Sequence, residues 1–174
     1  EEGWVHWGLG IVAFWQGLFE LSIERERAAV QVFVAVEDDY GKACSLRYLV
    51  LAYGNLGCYA EAENHARQLI QVAQRTHSGL QEAGGRLPLS WFALAKGDAK
   101  AALDHARQAL ALAPHPQFGF RMGALLWAGH AKNALGDLDG AAASFRESLE
   151  LDESLPPYGL AGLADVAMAQ GQPH

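Results

Sequence analysis

Asn55-Leu56-Gly57-Cys58-Tyr59-Ala60-Glu61-Ala62 decides how this chain folds, because the same phrase keeps returning. Trp15-Gln16-Gly17-Leu18-Phe19 comes before it. Ala95-Lys96-Gly97-Asp98-Ala99-Lys100-Ala101-Ala102 and Ala134-Leu135-Gly136-Asp137-Leu138-Asp139-Gly140-Ala141 follow, and Gln170-Gly171 closes the series. The glycines stand 40, 40, 39 and 35 residues apart. A recurring interval of this size marks an array of supersecondary units. Each glycine follows one helix-periodic apolar run and precedes another, so it stands where a helix must end and a positive φ costs glycine nothing. The predicted unit is helix, tight turn, helix.

The flanking residues carry the pattern outward. In the second unit Leu46, Leu49, Val50, Tyr53 and Leu56 share one helical face, and after the turn Ala62, Ala66, Leu69 and Ile70 share another. The fourth unit repeats this with Leu125, Ala128 and Gly129, then Ala141, Phe145, Ser148 and Leu149. Five positions after each turn glycine stands a small residue, Ser22, Ala62, Ala102 or Ala141, as two closely crossing antiparallel helices require.

These residues resemble the tetratricopeptide repeat. Leu9-Gly10 and Ala128-Gly129 match its paired small-residue position, Tyr53 its aromatic, Phe145 its second-helix aromatic and Pro114 its closing proline. The resemblance implies an all-α fold, a right-handed superhelix of antiparallel helix pairs (an α-α solenoid). It covers one domain, 1–174, with repeats at about 3–42, 43–82, 83–121 and 122–156 and a half repeat at 157–174. Glu26 and Ala66 depart from the pattern where Phe145 fits it, and Lys132 departs where Tyr53 fits it. The longer period predicts longer helices than the standard repeat. Leu125-Leu126-Trp127-Ala128-Gly129-His130-Ala131 and Gly159-Leu160-Ala161-Gly162-Leu163-Ala164-Asp165-Val166-Ala167 also look like the sensor region of large bacterial ATP-dependent, LuxR-type transcriptional regulators. That second resemblance implies a cytoplasmic signalling protein.

Composition narrows the possible partners. The 174 residues are 51% hydrophobic and carry a formal charge of −7, with no Lys/Arg cluster. That balance argues against direct binding of nucleic acid. Cys44 and Cys58 are the two cysteines, roughly 20 Å apart if both lie along one helix, so no disulfide framework is expected and a reducing compartment fits. The apolar run Leu9–Trp15 is far short of a membrane span, and no signal segment opens the chain. The chain has no initiating Met and ends on a helix-turn phrase, and is read as part of a larger protein.

In a solenoid of this kind the first helix of each pair lines the concave face. Spacing assigns to that face Trp4, Trp7, Ile11 and Phe14; Cys44, Arg47, Leu51 and Gly54; Gly84, Leu87, Trp91 and Leu94; Gly123, Leu126, His130 and Asn133; and Tyr158, Ala161, Asp165 and Met168. The expected ligand contacts are Trp7, Phe14, Arg47, Leu51, Trp91, Leu94, His130 and Asn133. A largely apolar groove of this kind favours an apolar or amphipathic helix, a peptide, or a small effector with an acidic group near Arg47. The terminal-carboxylate clamp of chaperone-binding tetratricopeptide domains is not expected, because Trp7, Ile11, Arg47, Leu51, Leu87 and Trp91 occupy its positions. Trp4 and Trp7 either contact ligand or pack internally; left bare, they favour self-association.

No phosphate loop, paired metal cysteines or His-Glu-x-x-His helix is present. Asp137-Leu138-Asp139-Gly140 lacks the ligand count of a calcium loop. His65, His105 and His130 fall in different repeats, and Glu37-Asp38-Asp39 reads as a solvated turn. The expectation is therefore no enzyme, no cofactor and no metal. The chain is read as a protein-interaction or effector-sensing module of a bacterial signalling or transcriptional regulator, or alternatively as a regulatory scaffold segment of a multidomain cyclase or kinase.

Overall fold

The computed structural model describes residues 1–112, 119–151 and 156–171, and among them all regular structure is helical. The helices are α1 (Glu2–Trp15), α2 (Phe19–Ala35), α3 (Asp39–Asn55), α4 (Tyr59–Arg75), α5 (Gly79–Ala95), α6 (Ala99–Leu112), α7 (Phe120–Ala134), α8 (Leu138–Leu151) and α9 (Pro156–Ala169). Pro114, expected to close the third pair, lies outside the described residues.

One turn geometry is used throughout. Gly17 has φ 76°; its N–H donates to the Phe14 carbonyl at 2.9 Å, and the Leu18 N–H donates to the Ala13 carbonyl at 2.9 Å. This is the paired bonding of a Schellman cap, which satisfies carbonyls left open at a helix end. Gly57, Gly97 and Gly136 repeat it with φ between 74° and 81°. Glu37 (φ 57°) and His77 (φ 53°) adopt the same turn, with Asp38 N–H donating to Phe33 carbonyl at 2.9 Å and Ser78 N–H to Ala73 carbonyl at 2.8 Å. The chain therefore reverses about every twenty residues, and the 40-residue interval spans two reversals. The first helices of the second and third pairs start at Asp39 and Gly79, four residues ahead of the starts expected at 43 and 83.

Where the residue after the turn is Asp, its side chain caps the next helix. Asp38 Oδ1 accepts from Gly41 N–H at 2.9 Å, Asp98 Oδ1 from Ala101 N–H at 3.0 Å and Asp137 Oδ1 from Gly140 N–H at 3.0 Å. Each such bond satisfies an orphan donor of the first turn. Asp38 and Asp137, taken from the sequence as turn residues, thus have a definite structural use.

Helices cross through size complementarity. Ser22, Ala62, Ala102 and Ala141 are all fully buried. Nine positions after each turn glycine the second helix carries Glu26, Ala66, Ala106 or Phe145, all fully buried. Seven positions before it the first helix carries Gly10, Val50, Ser90 or Gly129, all buried. Glycine stands where the partner is large: a Cβ on Gly10 would come within 2.5 Å of Glu26 Oε1, and one on Gly129 within 2.6 Å of the Phe145 ring. Val50 and Ser90 stand opposite the alanines. Lys132, the departure from Tyr53, is compensated in the same way. In the second pair Tyr53 stacks on His65 (centroids 5.5 Å apart, 18° between planes), and in the fourth Lys132 Nζ donates to Ser144 Oγ at 2.8 Å.

The chain forms two compact units, Glu1–Pro88 and Leu89–His174, with the boundary at Pro88 inside α5. In the first unit α1 packs on α2 and α3, α2 on α3, and α3 on α4. In the second α6 packs on α7, α7 on α8 and α9, and α8 on α9. The second core is built on Ala102, Leu103, Ala106, Ala128 and Ala131, and on Ala141, Ala142, Phe145 and Val166. Among the described residues no helix is long and apolar enough to cross a membrane.

Candidate functional site

In the first unit α1, α3 and the first turn of α5 line a partly open pocket of about 160 Å³. α3 supplies Tyr40, Cys44, Arg47 and Tyr48, spaced to share one helical face; α1 supplies Trp7, and α5 supplies Leu80 and Gln81. Aromatic contacts hold Trp7: it meets Trp4 edge to face at 5.3 Å, and Trp4 meets Phe33 at 4.8 Å. Its indole N–H is shut off from water and has no acceptor among the described residues. Such a donor costs about 1–3 kcal/mol until something accepts from it.

Arg47 is the one charged residue of this lining, and its guanidinium lies 5.5 Å from the Tyr48 ring centroid. That is cation–π distance, which places the charge against the pocket wall. Gln81 Nε2 donates to Cys44 Sγ at 3.6 Å. Burial pushes the Cys44 thiol up, only partly opposed by hydrogen bonding to Tyr40 and Gln81 and by the Arg47 charge. The thiol stays protonated at neutral pH and acts as a small apolar surface rather than a nucleophile. A larger hollow of about 360 Å³ lies at the start of α3 and the end of α2, lined by Phe33, Val34, Glu37, Asp39, Lys42 and Arg75, where Asp39 pairs with Arg75.

The second unit has an aromatic row along its first helices. Trp91 and Trp127 stack with centroids 6.2 Å apart and 12° between planes; Trp127 meets His130 at 5.8 Å, and His130 meets Phe145 at 5.0 Å. Burial lowers the His130 pKa, partly offset by Asp165, so the ring is neutral at pH 7.

The eight expected contacts thus fall into separate places. Trp7 and Arg47 meet in the 160 Å³ pocket. Phe14 packs among Trp15, Phe19 and Tyr48 within the first unit, and half-buried Leu51 is outside the pocket lining. Trp91 and His130 belong to the aromatic row, Leu94 packs on the alanine core, and the Asn133 carbonyl accepts the turn N–H of Gly136 at 3.0 Å. Of the wider concave set, Gly54 and Gly84 are buried, and the Tyr158 side chain lies outside the described residues. Periodicity did not single out Tyr40, Tyr48, Leu80, Gln81 or Trp127. Tyr40, Leu80 and Gln81 precede the expected repeat starts, and an i, i+4, i+8 search from Tyr40 would have found Cys44 and Tyr48.

Residues 123–155 match the family described as tetratricopeptide repeat. A crystal structure of a thermophilic TPR protein from Thermus thermophilus superposes with a TM-score of 0.74 at 21% identity, covering 98% of this chain and 84% of that one. The fold is that of a tetratricopeptide-repeat protein. No curated protein matches the sequence. The tetratricopeptide fold explains the placement of the pocket, since its walls are first helices of successive pairs, the elements that carry binding surfaces in such solenoids.

Proposed function

We propose that this chain is a non-catalytic protein-interaction module that receives an acidic side chain of a partner peptide or helix in the pocket between Trp7 and Arg47. The pocket itself carries the reading: aromatic walls, one cation, and a volume of about 160 Å³. Clefts for small organic ligands begin near 300 Å³, so this one suits a single side chain better than a free effector. A carboxylate there gains a charge-assisted hydrogen bond from Arg47, while its stem packs on Trp7 and Leu80.

The test is calorimetric titration of the chain with a peptide carrying Glu between leucines and with its Gln counterpart. The Glu peptide binds more tightly, and Arg47→Ala weakens it about tenfold, or about 1.4 kcal/mol, with helicity unchanged. Equal affinity of the Glu and Gln peptides, or of the parent and Arg47→Ala, overturns the assignment. We further read the module as the sensing part of a bacterial signalling or transcriptional regulator, supported by the Ala/Leu/Gly-rich repeat phrases. A nucleotide-binding loop and a helix-turn-helix in the adjoining coding sequence support this reading; an adjoining cyclase or kinase domain replaces it with the regulation of an enzyme.

A further inference from the structure

The hollow of about 360 Å³ at the end of α2, the start of α3 and the end of α4 falls in the size range of clefts for small organic ligands, which the Trp7–Arg47 pocket does not reach. It lies wholly within the first unit and is partly open. Its lining combines two anionic side chains, Glu37 and Asp39, two cationic ones, Lys42 and Arg75, and an apolar part at Phe33 and Val34. The charges cancel, so neither an inorganic anion nor a bare cation matches the whole set.

Two of the four charges are already paired. The Arg75 guanidinium donates through Nε to Asp39 Oδ2 at 3.1 Å and through one terminal nitrogen to Oδ1 at 2.5 Å, which leaves its other terminal nitrogen for a second acceptor. Half-buried Lys42 and exposed Glu37 have no side-chain hydrogen bond or ion pair among the described residues. Forty positions on, the equivalent places are closed internally. Val34 and Lys42 correspond to Gln74 and Glu82, and there the Gln74 amide donates to Glu82 Oε1 at 3.1 Å while Arg86 pairs with Glu82 at 2.6 Å. Val34 has no group with which to reach Lys42, and Leu46 stands where the next pair has Arg86. A half-buried ammonium without an acceptor gains from an incoming carboxylate.

We infer that this hollow binds a free α-amino acid with an apolar side chain. Lys42 and the open nitrogen of Arg75 hold the carboxylate, Glu37 and Asp39 hold the α-ammonium, and the side chain lies on Val34. Only a ligand carrying both charges satisfies both halves of the lining. A carboxylate alone is opposed by Glu37 and Asp39, and an amine alone by Lys42 and Arg75. A peptide terminus carries one of the two charges and matches half of the set. The hollow shares no residue with the Trp7–Arg47 pocket and does not depend on what binds there.

The test is isothermal titration of the full chain with L-leucine, with isocaproate, which lacks its ammonium, and with isoamylamine, which lacks its carboxylate. Leucine binds, and each analogue binds weaker by about tenfold or more. Lys42→Gln weakens leucine by about tenfold. Glu37→Gly does the same while the chain stays at least as stable as the parent, because Glu37 has φ 57°, a conformation that glycine adopts without strain. Arg47→Ala leaves leucine binding unchanged. Failure of the parent to bind leucine, equal binding of the three compounds, or undiminished binding in either Lys42→Gln or Glu37→Gly overturns the inference. Loss of leucine binding in Arg47→Ala also overturns it, since that result assigns the amino acid to the other pocket.

Discussion

A carboxyl group closed off from water holds its proton, and Glu26 is the clearest example in this protein. It is fully buried beneath Gly10, and among the described residues neither oxygen has a well-formed hydrogen bond and no Lys or Arg compensates it; burial pushes its pKa up to about 8, with the nearby Ser45 hydroxyl opposing only slightly. In the unfolded chain the same group titrates near 4.5. Between these values the folded state binds the extra proton, so its contribution is fully present at acid pH and is lost as pH rises toward 8. At about 1.4 kcal/mol per unit the loss is on the order of 4 kcal/mol. Urea midpoints measured from pH 4.5 to 8.5 should therefore fall steadily for the parent. Glu26→Gln, which keeps the shape and cannot ionise, should flatten the profile and be the more stable protein at pH 8. A parent profile as flat as that of the variant would show that Glu26 finds a partner or water on ionisation.

At the scale of the element, the paired first and second helices are matched in size where they cross. Gly129 lets Phe145 approach, so Gly129→Ala drives a methyl into the ring and should cost about 1–3 kcal/mol despite alanine's better helix propensity. Phe145→Leu should relieve much of that cost, so denaturation of the single and double variants should give a favourable coupling; strict additivity would mean the contact is not tight. How far such matching was legible depended on the residue. The turn glycines and the small residues at 22, 62, 102 and 141 announced the helix pairs, because a positive φ and a close crossing each restrict the residue type. The charge run Glu37-Asp38-Asp39 announced a turn, but His77 announced nothing, since its left-handed turn is imposed by the capping hydrogen bonds and not by the side chain. The helices that follow these turns were expected four residues late, and Tyr40, Leu80 and Gln81 of the pocket were placed ahead of their own helices. Tyr48 was obscured for another reason. α3 is buried on most of its circumference, with Ala43, Ser45, Leu46, Tyr48, Leu49, Val50 and Ala52 all enclosed, and a helix covered on several sides has no single apolar stripe to read.

At the scale of the whole molecule, stability in a repeat array is approximately a sum of local terms, because each element packs only on near neighbours. Here α1 packs on α2 and α3, and α7 on α8 and α9, so two cores are each completed within their own unit. The first is centred on α3, whose Leu46, Leu49 and Val50 are almost completely enclosed; the second depends on alanines around Phe145. Leu49→Ala opens a cavity in the first and should cost about 2–5 kcal/mol. If stability is local, hydrogen exchange followed by mass spectrometry should quicken across α1 to α4 in that variant and change little across α7 to α9. Phe145→Ala should show the converse. The amides of α1, on which Val5, Leu9 and Val12 are exposed, should exchange faster than those of α3 in the parent, because local opening there exposes little additional apolar surface. Equal acceleration of all helices by Leu49→Ala would show that the chain opens as one cooperative block, and the near-neighbour account would fail.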